Sequence, residues 1–512
     1  MKGDNVEKVR QAQEQKIEQT AIFTKGLRSM LENLLHKIDI DTAKKMFSCN
    51  RDNALEIISQ YNPAKHRIND RKNKEIKEGD DYETCKLTDA SQRRINQISS
   101  HFMFANPIKL SLQNDPEEAA QLSKYFKIFK KFLKSHYFDE RLYEAREITG
   151  SETECAKVYS LVTDEDGNSE IICQLRYNSR GDILYPMFNQ YGKMVAFAIG
   201  YFLRDEELRS EEHFDVYTSK DIWQFRKPNT SSIKKWELYD KKKNPFNKIP
   251  IIYYRHEEDW IGAQSRIERL EWISSKNGDI NEYFADPYLL ISPDIAENRL
   301  AGAKEVGKVI LLDEKGRFEF CAPPKSNGEI KEEKDSLNAG IERDTNTPDW
   351  TFKNIMGMGS LSSKAMRQQN MSGYVKRDRL ANKHYNELIH RELNLIIAIL
   401  VNQVYADKSE IAQGIKSLDL GFSYTDPFVG SLDDNSNEIS LLRGANAMSI
   451  HTAVQANYYV EDKDAEEMRI WDDIKRMETI KAEVAAKASQ QNNTDDANDG
   501  EDDERETKKT EE

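Results

Sequence analysis

Between Asp259 and Pro287, apolar residues recur at Trp260, Ile267, Leu270, Ile273, Ile280 and Phe284. The steps hold one face of a helix together over about 27 residues, roughly 40 Å. A second rod is expected from Lys364 to Tyr405, with Met371, Tyr374, Ala381, Tyr385, Leu388, Leu393, Ile396 and Leu400 as its stripe and Gly373 as a bend. A shorter helical run, "GEIKEEKDSLNAGIERD", lies between them.

The first 150 residues read as helices, apart from the polar stretch "YNPAKHRINDRKNKEIKEGDD", broken by Pro63, which reads as loop. "GLRSMLENLLHKI" is amphipathic, and "RRINQISSHFMFANP" stops ahead of Pro107. In "DPEEAAQLSKYFKIFKKFLK", Asp115 is the N-cap, Pro116 the first helical residue, and Tyr125, Phe129 and Phe132 the core face.

From Cys155 the period changes to that of strands. "CAKVYSLV" and "EIICQLRY" flank the turn signal "TDEDGNS", and "DILYPMF" and "MVAFAIGYFLR" flank "NQYGK". With the segments up to "KIPIIYYRH" they predict one meandering antiparallel sheet of about six strands beside the helices, so the class is α+β. "PYLLIS" and "VILLDEKGRFEF" predict a small strand-rich insert.

Composition sharpens this picture. Only 38% of the 512 residues are hydrophobic and 32% are charged, which suits an extended or oligomeric protein. The net charge of −14 argues against a chain that grips nucleic-acid phosphates over its whole surface. Residues 491–512 hold ten acidic and three basic residues and read as a disordered tail. The odd set Cys49, Cys85, Cys155, Cys173 and Cys321 lacks metal-ligand spacing and reads as buried, reduced thiols. The start lacks the apolar core of a signal peptide, and "LNLIIAILV" is too short for a membrane span.

Catalytic patterns fail on spacing. Lys364 lies too far beyond Gly357 and Gly359 of "MGMGS" for a phosphate loop. His384 and His390 are six apart and cannot share a zinc-binding helix face. The acidic stretch "SLDDNSNE" lacks the rigid strand context of a two-metal site.

The order of elements, with several short motifs, resembles the siphophage-type portal proteins of tailed bacteriophages, which form the head–tail connector. "INQISSHFMFANPIKLS" resembles that family's helix-ending turn, with Ala105-Asn106 in place of the usual glycine. "NPFNKIPIIYYRHEEDWIG" resembles its strand leading to the first stem helix, with Asn247 replacing a glycine. "INEYFADPYLLIS" resembles the lead-in to the clip, and "NAMSIHTAVQANYYVEDKDAEEMRIWDDI" the C-terminal helices.

The resemblance implies a portal-like fold: a helix-rich wing with antiparallel sheet (1–255), a first stem helix (256–286), a small α/β clip (287–325) and a second stem helix (326–344). A tunnel loop (345–363), a long wing helix (364–407), a helical crown (408–485) and the tail (486–512) follow. It implies a homo-oligomeric ring, usually of about twelve copies, at one capsid vertex of the virion, assembled in the host bacterial cytoplasm. Double-stranded DNA would pass through it during packaging and ejection, with terminase large subunit, major capsid protein, scaffold and head-completion or adaptor protein as partners. No cofactor, metal, membrane or enzymatic activity is implied. Sparse DNA contacts would come from Lys353, Asn354, Gly357, Gly359, Ser360, Lys364 and Arg367. Subunits would pack through the stripe Trp260, Ile267, Leu270, Ile273, Ile280 and Phe284. The alternatives are a terminase-like packaging ATPase or nuclease and a non-ring capsid adaptor.

Overall fold

The computed structural model describes residues 25–77, 80–163, 169–204, 210–228, 235–285, 289–291, 309–311, 327–349, 363–427, 432–457, 460 and 463–502. Contacts divide the chain into a larger unit, 1–355 with 369–427, and a smaller one, 356–368 with 428–512.

The larger unit begins with helices α1 (25–36), α2 (Ile40–Lys44) and α3 (Arg51–Tyr61), then the short strands β1 (Lys74–Lys77) and β2 (Asp80–Tyr82). Helix α4 (Ser91–Phe104), strand β3 (Lys109–Leu112) and helices α5 (Pro116–Ser135) and α6 (Phe138–Glu152) follow. Asp115 occupies the N-cap position of α5, without a side-chain capping bond, and Pro116 its first turn; Tyr125 and Phe129 are buried as expected, but the third buried residue is Leu133, with Phe132 only partly covered. Tyr125 and Phe129 lie on the face the spacing specifies, since residues three and four apart meet on a helix.

The strand region forms two sheets, not the single meander expected. Strands β6 (Ile183–Phe188), β7 (Met194–Arg204), β8 (Ser210–Tyr217), β9 (Asp221–Lys227) and β10 (Glu237–Lys243) make an antiparallel meander. Strands β4 (Glu154–Thr163) and β5 (Ser169–Arg176) pair with each other, and β11 (Ile251–Arg255) returns to the other edge of β4. The split has a physical cause. Both faces of β4 and β11 are buried, one against helices and one against the meander, so they make a middle layer. The turn before β11 carries Asn247 at φ 54°, the left-handed conformation that Asn tolerates in place of glycine.

Two long helices follow: α7 (Gln264–Ala285) and α8 (Asn327–Thr345). Between them, β12 (Leu289–Ile291) pairs parallel with β13 (Val309–Leu311); the rest of the expected clip lies outside the described residues. Helix α7 starts later than the periodicity suggests. Gly262 sits at φ 82°, which a right-handed helix does not pass through, so Trp260 precedes the helix.

After α9 (Ser363–Gln369), the expected long helix runs as α10 (Met371–Leu380), a π-helical stretch (Ala381–Tyr385), α11 (Asn386–Ile399) and a second π-helical stretch (Leu400–Val404). Gly373 is not its bend. A Cβ there would collide with the Phe102 ring, so glycine serves the close approach of α10 to α4. Met371 is exposed, whereas Ala381, Tyr385, Leu393, Ile396 and Leu400 are buried as expected. Helix α12 (Ser409–Lys416) packs with α5, and β14 (Leu420–Ser423) pairs with β3. The segment 408–427 therefore belongs to the larger unit rather than to a crown beginning at 408.

In the smaller unit, α13 (Leu432–Gly444), α14 (Ile450–Ala456) and α15 (Lys463–Asp502) pack in series. Ser449 caps α14 through the Thr452 amide, and His451 meets Glu467 at 2.6 Å. The tail expected to be disordered from 486 is helical in its backbone as far as Asp502, since "EVAAKAS" is rich in helix formers; residues 503–512 lie outside the described residues.

The thiols are free, but Cys49 is exposed, Cys85 and Cys173 are half-buried and only Cys155 is fully buried; Cys321 lies outside the described residues. Burial pushes Cys155 up and Cys173 to about 11, which leaves both protonated and unreactive.

Candidate functional site

The residues singled out by sequence gather in one place only in part. Lys353, Asn354, Gly357, Gly359 and Ser360 lie outside the described residues. Lys364 and Arg367 are on α9, where Arg367 is exposed. The six-residue stripe divides. Trp260, Ile267, Leu270 and Ile273 are buried within a single copy, Ile280 is exposed, and Phe284 closes the last turn of α7.

The expected inter-subunit face of α7 is thus corrected over most of its length. Trp260, Ala263, Ile267 and Leu270 form a cluster with Ile57 of α3, Ile95 of α4 and Ile341 of α8. Trp260 stacks on Tyr61 at 5.7 Å and donates its indole N–H to Gln60 Oε1. A periodic stripe marks a buried face but does not say which chain buries it. Helices α7 and α8 run antiparallel: Arg266 meets Asp344 at 2.9 Å and Arg269, further along α7, meets Glu333, earlier on α8.

A second side of α7, flanking the apolar one, is held by polar groups. The extended segment Thr84–Asp89 lies along it and donates alternate amides to side chains one helical turn apart. Cys85 N–H reaches Asp279 Oδ1, Leu87 N–H reaches Ser275 Oγ and Asp89 N–H reaches Glu271 Oε1, each at 2.8 Å. The match follows from geometry. Four helical residues rise about 6 Å and two extended residues span nearly the same distance. Arg71 pairs with Asp279 and also donates to the Cys85 carbonyl, closing the lower rung. His66 closes the upper one, with Nδ1 2.6 Å from Glu271 and Nε2 2.7 Å from the Gln60 carbonyl.

The foot of α7 is clamped by buried charge. Arg146 of α6 meets both oxygens of Asp259 at 2.9 Å, and Lys376 of α10 donates to the Asp259 carbonyl. Burial alone would raise the Asp259 carboxyl, but Arg146 and Lys376 outweigh it and hold it low. Burial lowers Lys376 to about 8 against the pull of Asp259. Gly150 is required here, because any Cβ would strike Asn96, Arg146 and Asp259. A second buried system ties the long helix to the middle sheet. Glu392 of α11 accepts from Lys157, Tyr159 and Tyr254.

Sequence reasoning missed the ladder and both clamps. The i, i+4, i+8 spacing of Glu271, Ser275 and Asp279 was the available signal, but it equally describes a solvated face. A cleft beside the foot is lined by His256, Glu257, Lys376, Arg379, Lys383 and His384. Burial and the Arg146 charge push His256 down to about 3, so it is neutral. Its Nε2 lies 3.1 Å from the Tyr385 hydroxyl. Among the described residues no group of His, Cys, Asp or Glu could hold a metal ion, and no helix is long and apolar enough to cross a membrane.

These features define a braced structural subunit: a pair of long helices rooted in a large mixed body by apolar contacts, an amide ladder and buried ion pairs. The profile of the phage portal proteins, SPP1 Gp6-like, matches residues 44–481, and the chain belongs to that family. No curated protein matches it.

Proposed function

We propose that copies of this chain close into a ring around an axial channel at one capsid vertex, through which double-stranded DNA enters during packaging and leaves during ejection. The family membership across residues 44–481 carries this reading. The rooted pair α7 and α8 supports it, because each helix keeps an outer face that its own chain leaves uncovered.

The chain acts as conduit and docking ring rather than as an enzyme. Terminase large subunit, major capsid protein, scaffold and head-completion protein dock on it. The net charge of −14 suits a conduit, since a strongly basic wall would bind the duplex through counterion release and slow its passage. The segment 345–363 and the start of α9 face DNA in this reading, with Lys353 of the segment and Lys364 and Arg367 of α9 supplying sparse phosphate contacts.

Native mass measurement of the purified chain tests the ring. The expected result is an assembly of about twelve copies of the 59.4 kDa chain, with a central hole in end-on particle images. A chain that stays monomeric at high concentration, or rings without a hole, would overturn it.

A further inference from the structure

Cyclic rings built from one chain use heterologous contacts, in which two different faces of each copy meet. Helices α7 and α8 present two such faces, and their chemistry is complementary. On α7 the exposed stripe is Trp272 and Ile280 with the half-exposed Lys276 between them and Arg269, paired with Glu333 of α8, at its upper end. Trp272 is 43% exposed and is held by cations on both flanks, with Arg71 at 5.3 Å and Lys276 at 5.2 Å from its ring. On α8 the uncovered stripe is Glu329, Glu332, Asp335, Ser336 and Ala339. One face is basic and aromatic; the other is acidic, with small residues where a large ring can lie flat.

We infer that the α7 face around Trp272 and Lys276 docks onto the α8 face around Glu332, Asp335 and Ala339 of the next copy. This rests on the ring reading above and names the seam that closes it. The register is set within one chain. Arg266 packs beside Gly340 and meets Asp344, and Arg269 meets Glu333. Those pairings place Trp272 at the height of Asp335 and Lys276 at the height of Glu332, within one helical turn. Rotation about an axis along the helices preserves height, so the same residues face each other between copies. Trp272 is then the anchor, since exposed aromatics that become buried carry most of an interface's free energy. The charges select the right face and reject a like one.

Charge reversal in the full-length chain tests this. Lys276→Glu alone sets two carboxylates against each other across the seam, and Glu332→Lys alone sets two ammonium groups against each other. Each is expected to weaken every seam about fivefold, as for a lost and reversed surface pair, and so to compound around the ring. Mixed in equal amounts, the two variants can alternate around the ring. Half of the seams then bring two wild-type faces together and the other half two reversed faces, so every seam regains opposite charges. Assembly by native mass should return to the wild-type level. Trp272→Ala should weaken assembly more than either reversal, with melting and circular dichroism of the single chain unchanged. If wild-type chain forms rings but the mixture assembles no better than the single variants, the seam is wrong while the ring stands. If wild-type chain forms no ring, the ring reading falls and this seam with it.

Discussion

Helix α7 is held on two sides by different physics. Towards α8, α3 and α4 it buries Ile267 and Leu270 in an apolar cluster. Towards the segment Thr84–Asp89 it offers Glu271, Ser275 and Asp279 to backbone amides. Apolar contact is strong but tolerant of sliding, because it scales with area and not direction. The amide ladder is weaker per contact but directional, and a slip of one residue would leave its part-buried donors without these partners. The apolar side supplies most of the free energy; the polar side fixes height and rotation. A helix that must meet a neighbour in register needs both.

The largest effect separating the two sides is expected from Leu270→Ala. Leu270 is 6% exposed, so the substitution opens a cavity and costs about 2–5 kcal/mol. Chemical denaturation of the single chain measures it. A loss of assembly without loss of chain stability would return Leu270 to an inter-subunit face and undo the comparison.

Next is Ser275→Ala on the polar side, which removes the acceptor of the part-buried Leu87 amide bond and costs about 0.5–1.5 kcal/mol. The distinguishing readout is local. Hydrogen exchange should quicken at Cys85, Leu87 and Asp89 well before it does in the core of α7. Uniform acceleration through α7 would mean that the ladder contributes only bulk stability.

The same contrast explains what the sequence reveals. The Tyr125 and Phe129 positions of the α5 face, Asp115 as the residue before α5, the Ser449 cap and the left-handed Asn247 follow from local rules, and they stand in the structure. So does the existence of the long helices. The single sheet fails because β11 returns to β4 across about ninety intervening residues, a pairing that no local pattern encodes. The inter-subunit stripe fails because periodicity identifies burial without naming the partner. The ladder escapes notice because its acceptors are polar and its donors are main-chain amides, which every residue but proline shares. The expected DNA-facing loop is a matter of family resemblance: its residues 350–362 lie outside the described structure.

The smallest expected effect lies at the upper rung and depends on pH. His66 is buried with an acceptor at each ring nitrogen, Glu271 on one side and the Gln60 carbonyl on the other. A neutral imidazole donates only once, so the doubly protonated ring alone satisfies both. Burial lowers the His66 pKa, but the hydrogen bond and charge of Glu271 outweigh it, Asp89 adds to them, and the net direction is upward. A histidine raised in the folded state contributes stability that is fully present below its unfolded value of about 6.5 and lost as pH rises through the folded value. Wild-type chain should therefore exceed His66→Gln in denaturation midpoint by most below the ordinary histidine value of about 6.5, with the gap narrowing as pH rises above it. A gap that instead widens as pH rises from about 5 would mean His66 is kept neutral in the fold, with Glu271 held by the Asp89 amide alone, and the upward direction would be wrong.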